Sequence, residues 1–210
     1  LALDANTTAD ANTAVGYEAL TTNTTAEGNT AVGFGSLRLN TTGGGNTGIG
    51  QNALYSNTTA ASNTAVGKSA LTANTTGTEN VAIGMQSCDA QTTASYNTAL
   101  GFDTLSANVL GSRNVAIGRA ALQVMNPASA VDTYNTAVGY GAGESITTGT
   151  ANTLVGSFSG DSFTTGAVNT GFGYATLNNM TGAASSNTGL GYAAGTSITS
   201  GSNNIAIGSN

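Results

Sequence analysis

Apolar and hydroxyl-bearing side chains alternate in short stretches that return every 17 residues. The stretch Thr-Ala-Val at 13–15 returns as Thr-Ala-Val at 30–32 and as Thr-Gly-Ile at 47–49, each preceded by Asn and followed by Gly. With that Asn counted as position 1, position 2 is Thr, Val or Ile, and position 4 is aliphatic or Phe. Such alternation, rich in β-branched residues, predicts a β-strand whose positions 2 and 4 face the interior.

The Asn at position 1 occurs twelve times. Its spacing is 17 residues in nine of eleven intervals, 21 in one and 18 in another. A fixed period over a whole chain indicates a repeat architecture, in which each unit packs only against its neighbours. We therefore predict one repeat domain, 1–210, with a structural ladder of stacked Asn side chains. Its members are Asn12, Asn29, Asn46, Asn63, Asn80, Asn97, Asn114, Asn135, Asn152, Asn169, Asn187 and Asn204.

The rest of each repeat predicts how one coil closes. Position 5 is Gly in all twelve copies, which predicts a turn that excludes a Cβ and argues against a helix. One more apolar residue follows at position 9 (as in Leu20) or, where position 9 is Gly, at position 12 (as in Ile146), and a second strand often reads Asn-Thr-Thr. We predict an all-β fold without helices, a parallel β-solenoid of about twelve 17-residue coils stacked ~4.8 Å apart.

The 21-residue interval contains the only Pro, Pro127. We interpret residues 123–134 as a loop insertion within one coil, bulging outward rather than separating two domains.

Position 3 is Ala in eight copies, Gly in three and Leu in one, although the predicted strand turns it outward. A stripe of small apolar residues along a rod suits close packing of a neighbouring chain, and contiguous apolar strips mark interfaces. We predict an inter-subunit stripe in a homotrimer of parallel chains. It comprises Ala14, Ala31, Gly48, Ala65, Ala82, Ala99, Ala116, Ala137, Leu154, Gly171, Gly189 and Ala206.

These motifs resemble known fibre repeats. "NVAIG" at 80–84 and 114–118, "NIAIG" at 204–208 and the "NTAVG" units are similar to the head repeats of trimeric autotransporter adhesins. The "NTAVGYxAL…NTT" and "GAGxSITTG" variants resemble repeats of phage tail fibres and bacterial surface fibres. The resemblance covers essentially the whole chain. It implies left-handed parallel β-rolls with three chains side by side. It also implies an extracellular location, on a virion or on a cell surface. The 17-residue period is longer than the usual coil of the autotransporter heads.

Composition narrows the function classes. Only 7% of residues are charged, the net charge is −6, and the four basic residues are scattered, so we expect no nucleic-acid partner. No apolar run is long enough for membrane insertion. The chain has no His, and its single Cys88 stands in the Leu column, so we predict no catalytic residue, metal or cofactor and do not expect an enzyme. The Asn-Thr-Thr sequons are better explained by the repeat than by glycosylation.

Two binding hypotheses remain. Aromatic residues at position 6 are candidates for stacking on a host-surface glycan, although they could equally pack over the turns or between subunits: Tyr17, Phe34, Phe102, Tyr140, Tyr174 and Tyr192. The alternative function is ice binding by a flat Thr-rich face at positions 13 and 14, as in Thr41 and Thr42, of which at most one column can be exposed. That column breaks at Val109 and Leu110.

The main hypothesis is a structural and adhesive extracellular fibre segment, a phage tail-fibre shaft or a bacterial surface filament. Neither end carries a polar cap of the kind that solenoids use against edge pairing, so we expect a stretch of a longer fibre.

Overall fold

The computed structural model describes all 210 residues and contains no helix. It confirms the predicted parallel β-solenoid, which has about eleven turns. The strands are β1 (Thr13–Val15), β2 (Thr30–Val32), β3 (Thr47–Ile49), β4 (Thr64–Val66), β5 (Val81–Ile83), β6 (Thr98–Leu100), β7 (Gly111–Ser112), β8 (Val115–Ile117), β9 (Val131–Asp132), β10 (Thr136–Val138), β11 (Thr153–Val155), β12 (Thr170–Phe172), β13 (Thr188–Leu190) and β14 (Ile205–Ile207).

Twelve of these strands form one parallel sheet in chain order, and β7 and β9 form a separate two-stranded sheet. Equivalent repeat positions lie side by side, as in Thr13 beside Thr30. The register also holds across the 21-residue interval, where Val115 lies beside Thr136. The additional residues therefore loop out without shifting the stack.

The second strand predicted in each coil is absent. Apart from the two-residue strands β7 and β9, only positions 2 to 4 form strands, and the Asn-Thr-Thr segments lie in bends. Non-glycine residues with positive φ recur through the turns, for example Glu18 (φ 56) and Leu20 (φ 54), and this left-handed conformation interrupts an extended strand. The chain therefore closes each coil through a succession of tight turns.

The turns nevertheless stack as regularly as the strands. Of 122 backbone hydrogen bonds, 99 lie outside regular strands. The N–H of Leu20 donates to the carbonyl of Ser36 at 3.0 Å, and the N–H of Gly35 donates to the carbonyl of Tyr17 at 2.9 Å. Coil-to-coil bonding thus continues around the circumference of the solenoid.

The geometry of the turn at position 5 explains why Gly is required there. Gly16 has φ +131, and a Cβ on it would lie 2.6 Å from the carbonyl oxygen of Gly33 in the next coil. Both the left-handed backbone and the closeness of the adjacent coil exclude a side chain. The sequence prediction of a turn without room for a Cβ is confirmed.

The prediction that positions 2 and 4 face the interior is wrong, because position 3 faces the core. Ten residues of the proposed inter-subunit stripe are buried within the single chain, and the two in the terminal coils are half-buried. The stripe cannot be a subunit interface, since neighbouring coils already cover it. The corrected core column is Ala14, Ala31, Gly48, Ala65, Ala82, Ala99, Ala116, Ala137, Leu154, Gly171, Gly189 and Ala206.

The small size of position 3 follows from a narrow interior. A Cβ on Gly48 would lie 2.6 Å from Oγ of Ser36 and 3.4 Å from Cγ of Leu37. Where position 9 is Gly, the space is filled from elsewhere: a Cβ on Gly143 would lie 3.0 Å from Cδ1 of both Ile146 and Leu154. The two repeat variants therefore fill the same thin core in different ways.

Candidate functional site

The Asn ladder runs the length of the solenoid. At all eleven steps, the backbone N–H of one Asn donates to Oδ1 of the Asn one coil earlier, at 2.9–3.0 Å. In most coils the side-chain Nδ2 also donates to the backbone carbonyl at position 15, as from Asn12 to Ala26 at 2.8 Å. Ten of the twelve Asn residues are buried. These amides hold the coils together and are not available to a ligand.

A second buried amide column stands at position 12 in the N-terminal half. Nδ2 of Asn57 donates to Oδ1 of Asn40 at 2.8 Å and to the carbonyl of Ala60 at 2.9 Å. The column is interrupted at Gln91, and Oδ1 of Asn74 is left without a partner. The Asn-Thr-Thr motif was the sequence signal for this column. Burial of Asn23, Asn40, Asn57 and Asn74 gives the repeated Asn of this motif a structural role.

Positions 2 and 4 form the outward face of the twelve-stranded sheet, which we call the outer face. Position 4 presents an apolar column, with Val15 59%, Leu100 43% and Phe172 55% exposed. Position 2 presents mainly Thr, and none of these Thr hydroxyls has a hydrogen-bond partner within the chain. The sequence interpretation missed this face because it assigned the alternation to the wrong side.

The sequence did contain a signal for the correct side. Leu154 is the only large residue at position 3. Position 9 is Gly160 in its own coil and Gly143 in the preceding coil. A Cβ on Gly160 would lie 2.8 Å from Cδ2 of Leu154. Positions 3 and 9 therefore face the same interior space, and here the large Leu154 is accommodated by Gly at position 9.

The Thr columns at positions 13 and 14 do not form a two-column face. Oγ1 of Thr41 donates to the carbonyl of Thr58 at 3.0 Å, and Thr58 donates likewise to Thr75 at 3.1 Å. Position 13 is half-buried along most of the rod, whereas position 14, as in Thr42, is exposed. Only one column is open to solvent.

The aromatic candidates largely contact one another. Tyr17 stacks on Phe34 with ring centroids 5.5 Å apart, and Tyr174 stacks on Tyr192 at 5.4 Å. The guanidinium of Arg119 lies over the rings of residues in the coils on either side. Its central carbon is 5.6 Å from the ring centroid of Phe102 and 5.3 Å from that of Tyr140. Each of these rings thus contacts another ring or the guanidinium of Arg119, while Tyr17 and Tyr192 remain 63% and 60% exposed.

The acidic side chains form no metal centre: no group of three or more His, Cys, Asp or Glu residues could hold an ion. Burial, and then the charge of Glu144 one coil earlier, raise the pKa of Asp161. Burial raises the pKa of the Cys88 thiol to about 12, in keeping with its place in the Leu column. The only side-chain hydrogen bond to the Asp161 carboxylate comes from the adjacent Ser162, at 3.2 Å on the exposed surface.

Four exposed polar and aromatic side chains lie together at the insertion. Nε of Arg113 donates to Oδ2 of Asp132 at 2.9 Å, and the hydroxyl of Tyr134 donates to the same oxygen at 3.0 Å. The Arg113 guanidinium lies over the ring of Tyr96, 4.5 Å from its centroid. The hydrogen bond to Asp132 raises the pKa of Arg113. We call Tyr96, Arg113, Asp132 and Tyr134 the insertion cluster.

No helix long and apolar enough to cross a membrane occurs in the structure. Comparison with known proteins gave no match to any family model, curated protein or solved structure.

Proposed function

We propose that the chain is a segment of a structural and adhesive extracellular fibre, such as a phage tail-fibre shaft or a bacterial surface filament. Parallel copies of the chain associate through the outer face. The number of copies, three, comes from the resemblance of the repeats to trimeric fibres, and the outer face supplies the contact surface.

The single observation that carries this proposal is the uncovered outer face. Parallel sheets in proteins are normally covered on both faces. Here the core covers one face, while the other carries twelve aliphatic or aromatic side chains at position 4, from Val15 to Ile207. Their exposed area is on the order of several hundred Å², which is the size of the largest patches that monomeric proteins keep. A second copy would remove this area from water.

The geometry of the stack favours a long contact between parallel rods. Identical positions align at every coil, so two parallel copies in register would bring equivalent position-4 side chains together along the whole sheet. A small binding free energy from each strand then adds up over the twelve strands of the sheet, as expected for quasi-one-dimensional repeat proteins.

Cross-linking tests this arrangement directly. In Val66→Cys, parallel copies in register place equivalent thiols together, and mild oxidation should give disulfide-linked dimers. Thr76→Cys, at the exposed position 14 on another side of the coil, is the matched control and should remain unlinked. Native Cys88 is buried and should not contribute. Equal linking of both variants, or of neither, would contradict the proposal.

Ice binding is the second candidate, and one observation favours it: the outer face is a two-column array of Thr and Val or Ile. Its rows are ~4.8 Å apart, and alternate residues within a strand are ~6.7 Å apart. The Thr hydroxyls have no partner in the chain. A monomer that shows thermal hysteresis, reduced by Thr64→Lys on the outer face but not by Thr76→Lys, would support ice binding instead of the fibre.

A further inference from the structure

The backbone of the insertion is bonded to the preceding coil, since the N–H of Thr133 donates to the carbonyl of Ser112 at 3.0 Å. Strand β9 pairs with β7, so that Val131 lies beside Gly111 and Asp132 beside Ser112. Oγ1 of Thr133 is within hydrogen-bond distance of Oδ1 of Asn114, at 2.8 Å. Thr133, Met125 and Pro127 are buried and anchor the insertion, while residues 128–132 are exposed. The exposed side chains therefore project from a fixed backbone.

The insertion cluster is held in place by its own contacts but retains free polar groups. The two terminal nitrogens of Arg113 and Oδ1 of Asp132 have no partner in the chain, and neither has the hydroxyl of Tyr96. The residue Tyr134 is 57% exposed, and its ring stacks on no other ring. Donors, acceptors and an open aromatic face thus lie together in a fixed arrangement.

This combination matches the chemistry of a sugar ring. A hexopyranose has an apolar C–H face, which can lie on an aromatic ring with its negative π-face, and hydroxyl groups that both donate and accept. The free carboxylate oxygen of Asp132 and the free N–H groups of Arg113 can bond such hydroxyls. Asp132 already compensates the charge of Arg113, and the chain carries a net charge of −6, so an acidic sugar gains no attraction.

We propose that the insertion cluster is a binding site for a neutral hexopyranose at the surface of a glycan. This inference rests on the adhesive part of the proposed function and gives it a location and a ligand class. Tyr134 contacts the C–H face of the sugar, and Asp132 and Arg113 bind its hydroxyls.

A second cluster provides a matched comparison. Arg38 pairs with Glu18 at 2.8 Å and also bonds the hydroxyl of Tyr55, so the same three kinds of side chain meet there. This cluster lies on uninterrupted coils, Tyr55 is half-buried, and its hydroxyl is engaged by the guanidinium. It lacks an open aromatic face and should not bind.

Saturation-transfer NMR on the whole chain tests the proposal, with the methyl glycosides of glucose, galactose, mannose and N-acetylglucosamine as probes. We expect at least one probe to bind with a Kd of about 1 mM. Tyr134→Ala should weaken binding about tenfold or more, and Asp132→Asn should weaken it several-fold. Tyr55→Ala should leave binding unchanged. The thermal unfolding curve of each variant establishes that it is folded.

Absence of saturation transfer from every probe would overturn the proposal, and so would binding that survives both Tyr134→Ala and Asp132→Asn. The outcome is separable from the fibre proposal, because the mass of the assembly is measured independently. A monomer that binds the sugar through Tyr134 would contradict the fibre but retain this site. An assembled fibre without binding would contradict the site alone.

Discussion

The backbone N–H of Asn80 donates to Oδ1 of Asn63 one coil earlier at 2.9 Å, and Nδ2 of Asn80 donates to the same oxygen at 3.0 Å. One buried amide oxygen thus satisfies two donors of the next coil, while its own Nδ2 bonds the carbonyl of Gly77 at 2.9 Å. Repetition of this contact makes each coil the template for the next.

Replacing one ladder residue should therefore destabilise the stack. In Asn63→Ala, the backbone N–H of Asn80 loses its only acceptor and is left buried and unsatisfied, which is costly. Nδ2 of Asn80 keeps its bond to the carbonyl of Ala94, and the carbonyl of Gly77 keeps its bond from Asn74, so these groups lose one bond each without being left unpaired. We expect the free energy of unfolding to fall by about 3 kcal/mol. Urea unfolding followed by circular dichroism, at a fixed protein concentration, measures the change. The exposed Thr59→Ala is the control, and equal effects of both substitutions would contradict the ladder's role.

Enlarging position 3 should also destabilise the protein, because this column is core. Ala82 is fully buried, and Ala82→Leu should lower the free energy of unfolding by about 1–3 kcal/mol through overpacking. The opposite substitution at the same position of another coil, Leu154→Ala, leaves a cavity where Gly143 and Gly160 provide no replacement, and it should cost about 2–5 kcal/mol. An unchanged stability of Ala82→Leu, accompanied only by a change in assembly, would restore the original stripe hypothesis.

The sequence was sufficient to predict the repeat, the absence of helices, the stacked Asn ladder and the Gly turn, because each depends on a strict local requirement at a fixed position. It did not determine the direction of the strand. With three residues per strand, alternation gives one central side chain and two flanking ones, and both assignments bury apolar groups. The size compensation between Leu154 and Gly160 identifies the inner side, whereas the apolar character of position 4 pointed the wrong way.

The missing second strand has a different cause. Leu20 and its equivalents adopt a left-handed conformation that β-propensity does not anticipate. Contacts between coils stabilise it, since Leu20 is fully buried and its N–H is bonded to the next coil. The repeat pattern also could not predict side-chain contacts made by the insertion, such as that of Arg113 with Asp132, because the insertion has no counterpart in other coils.

The thiol of Cys88 should be unreactive in the folded protein. The thiolate is the nucleophile, and Cys88 is fully buried with its pKa raised to about 12, so neither access nor ionisation is available near pH 8. A chromogenic disulfide reagent should modify it only as the chain unfolds, with a rate that rises with urea concentration. Rapid modification without denaturant would contradict this placement.

Removing the charge of Asp161 should stabilise the protein at neutral pH. Burial and the neighbouring charge of Glu144 raise its pKa in the folded state, so the folded chain holds this proton more tightly than the unfolded chain does. The ionised carboxylate therefore lowers stability as pH rises from the ordinary Asp value of 3.8 through the raised value. Asp161→Asn should exceed the wild type in thermal stability at pH 7, and the two should converge near pH 3.

The control for Asp161 is Glu79→Gln, which removes one negative charge from an exposed side chain and thus changes the net charge equally. If both variants gain the same stability at pH 7, the effect is one of net charge and not of the site. A gain that persists unchanged at low pH would also contradict the linkage argument.

Charge placed on the outer face should separate the chains without unfolding them. In the double variant Ile83→Glu and Ile117→Glu, two carboxylates replace apolar contacts between copies, while the monomer core is untouched. The assembly should dissociate at micromolar concentration with an unchanged circular dichroism spectrum. Thr76→Glu and Thr93→Glu, on the exposed position 14, form the matched control and should leave the assembly intact.

The mass of the wild-type chain in solution, determined by sedimentation equilibrium, tests the central claim most directly. The fibre proposal predicts a species of three times the chain mass of 20.4 kDa that persists on dilution. A monomer at all concentrations would leave the outer face open to water and would contradict the proposal.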